Sequence, residues 1–95
     1  MRNNVLAKRQ IENLLKENLS VNALVQVVPV KGERRTIYQL EGIPLGRNTT
    51  IAGLDRLARR IARLLGAELC GLVNVDFVSI GGKTTFDMIA EVSGD

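Results

Sequence analysis

The chain has 95 residues, 13 Lys and Arg against 10 Asp and Glu, a formal net charge of +3, no histidine and one cysteine. That length fits a single domain over residues 1–95, without room for two lobes and a cleft between them. The missing histidine excludes imidazole catalysis and His-containing metal sites, and the lone Cys70 excludes an internal disulfide or a cysteine-cluster zinc site.

The first helix is predicted over residues 4–18. Ala7, Ile11, Leu14, Leu15 and Leu19 recur at helical spacing on one face. Asn3 or Asn4 offers a side-chain cap, and Glu12 precedes Lys16 by one turn, a favourable pair. Residues 21–30 are rich in valine and read as a strand, which Pro29 confines to an edge or an end. Lys31-Gly32-Glu33 makes a turn into a second strand over 34–41. Residues 42–48 read as a loop from their Gly, Pro and Asn content.

Thr49 or Thr50 then caps a second helix over 50–65, where Ile51, Leu54, Leu57, Ala58, Ile61, Ala62, Leu64 and Leu65 form an apolar stripe. Gly66 stands at its C-terminal stop. Residues 69–80 and 83–92 form a second hairpin around Gly81-Gly82, a pair suited to positive φ. Counting outward from that turn sets Phe77 opposite Phe86, Val75 opposite Met88 and Val73 opposite Ala90 as one apolar face. Asp76–Asp87, Asn74–Ile89 and Leu72–Glu91 then make the other. The fold class is α+β, ordered α-β-β-α-β-β: one mostly antiparallel four-stranded sheet with both helices on one face. The second sheet face carries Leu72, Val78, Ile80 and Ile89 among polar residues and is open to a partner or a second copy.

No apolar run approaches the ~18–20 residues of a bilayer span. Met1-Arg2-Asn3-Asn4 leads into a charged segment rather than an apolar signal region. The expectation is therefore a cytoplasmic protein without membrane contact, in keeping with a free thiol, and Cys70 is expected as a buried structural one.

Three groups of residues bear on chemistry. Arg56, Arg59, Arg60 and Arg63 share one arc of the second helix, opposite its apolar stripe, and only Asp55 is near enough in sequence to pair with one of them. Such a row suits phosphates, each neutralised contact releasing counterions; the bland alternative is a solvated helix face. Asp76, Asp87 and Glu91 form a carboxylate group on adjacent strands. Directly opposed like charges need solvation or a compensating cation, which makes these three the candidates for a divalent metal. Tyr38 is the one other side chain placed to stack on a base, though a single ring makes no platform.

The segment Leu45-Gly46-Arg47-Asn48-Thr49-Thr50-Ile51 resembles the G-x-x-G loop and helix of KH-type RNA-binding domains. Gly46 matches the first glycine, Arg47-Asn48 the variable pair, and Ile51 with Leu54 the core positions of the helix; Thr49 stands where the second glycine falls. The preceding helix–strand–strand and the strand from Leu72 are similar to the bacterial type-II order, over about residues 5–80, with the last strand extra. The resemblance implies RNA held on the loop backbone and the helix N-terminus. A shorter stretch, Gly71 to Asp76 with Glu91-Val92-Ser93, is similar to part of the ATP-grasp pattern. That likeness implies Mg²⁺ on Asp76 and Glu91, although the rest of that large fold has no room in 95 residues.

The sequence thus points to a small binding module rather than an enzyme, with no cofactor. Its expected ligand is nucleic acid, RNA first, on Gly46, Arg47, Asn48, Thr49, Arg56, Arg59, Arg60 and Arg63. The alternative from another class is a homodimeric assembly module working through its open sheet face or an edge strand. That layout resembles small dimerising scaffold domains of the roadblock type.

Overall fold

The computed structural model describes residues 4–30, 32–46 and 49–93. Its elements are α1 (Asn4–Leu19), β1 (Gln26–Val30), β2 (Arg35–Pro44), α2 (Ile51–Leu65), a short 3₁₀ turn (Gly66–Glu68), β3 (Asn74–Ile80) and β4 (Lys83–Ser93). The strands make one antiparallel sheet in the order β1-β2-β4-β3. β2 and β3 each run antiparallel to β4, so they run parallel to one another with β4 between them. The β2-α2-β3 segment is thus a βαβ unit split by the last strand.

Period-2 alternation selects the face that the helices cover. Thr36, Tyr38, Leu40 and Ile43 of β2, with Phe86, Met88, Ala90 and Val92 of β4, point to one side and are buried. Ala7, Ile11 and Leu15 of α1 and Leu54, Leu57, Ile61 and Leu65 of α2 close over them in one core. A void inside this seam, between Ile11, Ile61, Tyr38 and Met88, is only ≈ 10 Å³.

The second hairpin has the expected register, with Phe77 opposite Phe86, Val75 opposite Met88, Asp76 opposite Asp87 and Asn74 opposite Ile89. Gly81 and Gly82 take φ of 59° and 78°, the positive values that a tight two-residue hairpin turn requires.

Several boundaries differ from the sequence expectation. Residues 21–25 form no strand, because the Val25 N–H donates to Glu12 Oε2 at 2.9 Å instead of to a ladder. Glu12 takes Lys8 as its cation, at 2.8 Å, rather than Lys16. β2 runs on to Pro44 through a bulge: the register with β4 shifts by one residue between Leu40 and Ile43. The extra residue lets Leu40 and Ile43, three apart, both face the core. Residues 69–73 lie outside β3, held to β4 by a single bridge from Leu69 to Val92 and by Cys70 N–H on Glu91 O at 2.8 Å. The pairings expected for Val73 and Leu72 are therefore not formed in the ladder. Cys70 is half-buried rather than a core thiol.

Candidate nucleic-acid interface

α2 is anchored at its start by Thr50, whose Oγ1 accepts from Gly53 N–H at 2.9 Å and whose carbonyl accepts from Leu54 N–H at 3.0 Å. The first helical residue, Ile51, is 80% exposed and so is not the core position expected of it; Leu54 opens the buried stripe. Successive residues turn about 100°, so Arg56, Arg59, Arg60 and Arg63 fall within an arc about 100° wide on the far side of the helix. All four are exposed.

Among the described residues, only one of them has an acidic partner. Arg59 Nε donates to Asp55 Oδ2 at 2.9 Å, with both side chains largely in water (78% and 61%). A pair so exposed is worth little and competes poorly with a phosphate. Arg56, Arg60 and Arg63 make no ion pair among the described residues. Arg60 and Arg63 overhang the seam with α1, where they line an open groove of ≈ 370 Å³ together with Gln10, Asn13 and Glu17. The outer surface of α1 adds exposed Arg9 and Lys16 to the same side. Their polar helix positions are plain in the sequence, but their sharing one layer with α2 follows only from how the two helices pack.

The loop before α2 closes on itself. Gly46 N–H donates to Thr49 Oγ1 at 3.1 Å, and Thr49 N–H donates to Gly46 O at 3.1 Å. The Gly46 amide is therefore occupied by the hydroxyl of the residue standing at the second glycine position. Arg47 and Asn48 lie outside the described residues.

The opposite side of the molecule has the other charge. The uncovered sheet face carries Glu41, Asp76, Asp87 and Glu91 against Arg35 and Lys83. Arg35 Nη1 donates to Glu91 Oε1 at 3.2 Å and its Nε lies 3.6 Å from Glu33. The Glu91 hydrogen bond and the Glu33 and Glu91 charges raise the pKa of the Arg35 guanidinium. Asp87 accepts the Gly42 N–H of the β2 bulge at 2.8 Å. The opposed Asp76–Asp87 pair is thus relieved by a backbone donor, and no three acidic side chains among the described residues are grouped to hold a metal ion.

Base stacking finds no surface on this face. Tyr38 points into the core, 3% exposed, with its hydroxyl donating to Asn4 Oδ1 at 2.8 Å, which overturns its expected availability to a base. Phe86 is buried as well, and Phe77 lies on the helix side of the sheet. No helix among the described residues is long and apolar enough to cross a membrane. Compared with protein-family models, curated proteins and solved structures, the chain matches none.

Proposed function

We propose that this chain is a non-catalytic nucleic-acid-binding module that lays a sugar–phosphate backbone, RNA first, along the exposed face of α2. The observation that carries this reading is the set Arg56, Arg60 and Arg63: exposed, on one arc, and without an acidic partner among the described residues. Arg59, Arg9 and Lys16 widen the same field. The segregation of charge supports it further, because the acids of the sheet face repel a polyanion from that side and orient it toward the helices.

The KH-like loop plays a reduced part. With the Gly46 amide closed on Thr49, guanidinium groups rather than loop amides make the phosphate contacts. Arg groups at this spacing donate to phosphate oxygens in forked geometry without reading bases, so the expected binding is sequence-tolerant.

The test is fluorescence anisotropy with labelled single-stranded and double-stranded RNA at two salt concentrations. Binding is expected at low salt and should weaken steeply at high salt. Arg56→Glu with Arg60→Glu should lower affinity at least tenfold, while Glu41→Gln on the opposite face leaves it unchanged or slightly improved. Absence of binding at low salt, or an unaffected double variant, overturns the reading.

A further inference from the structure

We propose that the free edge of β3 pairs with the same edge of a second copy of the chain, joining two sheets into one across a dyad at Phe77. The two edges of the sheet are built differently. β1 is five residues long and carries Pro29, which offers no N–H to a neighbour. β3 runs for seven residues with no proline, lysine or bulge to blunt it. Phe77 and Ile80 stand largely in water, 53% and 75% exposed.

The hairpin determines which backbone groups are available. A two-residue turn makes its flanking residues, Ile80 and Lys83, a hydrogen-bonded pair. Pairs alternate along an antiparallel ladder, so Ser79–Thr84, Phe77–Phe86 and Val75–Met88 are the non-hydrogen-bonded ones. The N–H and C=O groups of Val75, Phe77 and Ser79 therefore point away from β4 to the open edge.

A second β3 satisfies these groups in one symmetric register. Phe77 lies against its own counterpart, and Val75 lies against Ser79 in both directions, giving about six backbone hydrogen bonds. This register keeps the helix layers of both copies on the same side. It extends the apolar row from Ile43 through Phe86 to Phe77 across the dyad. Asp76, the only charged residue of the strand, meets Val78 instead of its own counterpart, so like charges are not directly opposed. An unrelated strand would satisfy the amides without continuing the aromatic row. The contact is short, at the low end of specific interfaces of roughly 1,200 Å², so the dimer forms with rising concentration.

Sedimentation equilibrium of the full chain, free of nucleic acid, tests this independently of the RNA reading. The mass is expected to rise from monomer to dimer and to stop there. Ser79→Pro removes an outward N–H without touching the β4 ladder, and Phe77→Lys sets like charges at the dyad. Each should weaken association at least tenfold with the circular dichroism spectrum retained. Ser79→Ala, which loses only the side-chain bond to Thr84, should dimerise like the parent. Phe77→Lys decides alone if Ser79→Pro fails to fold. A strict monomer at every concentration, a dimer untouched by Phe77→Lys, or growth past the dimer overturns the proposal.

Discussion

Glu12 shows how one side chain can organise a stretch of chain without regular structure. Its carboxylate holds Lys8 on its own helix and the Val25 N–H thirteen positions on. Burial pushes its pKa up, but the Lys8 hydrogen bond, the Val25 N–H and the Lys8 and Arg9 charges outweigh that, and the net pKa is lowered from 4.5. A lowered carboxyl stabilises the fold above its unfolded-state value, and that contribution is lost as pH falls from about 4.5 through the folded value. Glu12→Gln should therefore flatten the acid limb of a stability–pH curve measured by urea unfolding. At neutral pH the same change should cost about 1–3 kcal/mol, since charge-assisted bonds are the stronger kind. Ser20 offers the reverse case. It ends α1 at φ 55°, with its N–H on Lys16 O at 3.0 Å. A Cβ in this left-handed conformation costs roughly 1 kcal/mol, so Ser20→Gly should raise stability by about that much in the same assay. Phe86, wholly buried at the centre of β4, should cost about 3–5 kcal/mol as Phe86→Ala.

Among the elements, the Gly81-Gly82 turn makes the cleanest comparison. Both residues have positive φ, and a side chain at either position would meet nothing beyond its chain neighbours. Asparagine tolerates that conformation and narrows the unfolded chain's freedom, so Gly81→Asn should be neutral or stabilising by up to about 1 kcal/mol. Gly82→Val should destabilise instead, and thermal melts separate the two. This turn was legible because its register follows from counting, and the α2 stripe because Leu54, Leu57, Ile61 and Leu65 repeat strongly. The strand limits were not legible, for reasons of tertiary structure. Val25 looks like a strand residue, yet its amide answers a carboxylate on α1. Gly42 looks like a loop residue, yet it forms a bulge whose N–H is held by Asp87, brought alongside only by the β2–β4 pairing. The arginine arc could be placed on its helix from spacing alone, whereas the groove it shares with α1 could not.

For the molecule as a whole, the division of charge between its two sides governs what it meets. The net charge of +3 is modest, but the helix layer and the sheet face differ in sign, and under the proposed nucleic-acid reading that field orients a polyanion before contact. The row from Arg56 to Arg63 spans about 10 Å at 1.5 Å per residue, enough for roughly three phosphates. A single-stranded ligand should then show a log–log salt slope of about −2, and the Arg56→Glu and Arg60→Glu double variant a slope nearer zero. Titration of binding against salt concentration checks both values.

The placement of β4 bears on how the chain acquires its shape. The sheet's middle is filled by its last strand, between β2 and β3, which precede it in sequence. Before that strand is in place, inner β2 and edge β3 are unjoined and the apolar residues of β2 and α2 lack the cover of Phe86, Met88, Ala90 and Val92. This sheet therefore cannot close until β4 is available to it. Truncation before Lys83 would split the sheet through its centre instead of trimming an edge.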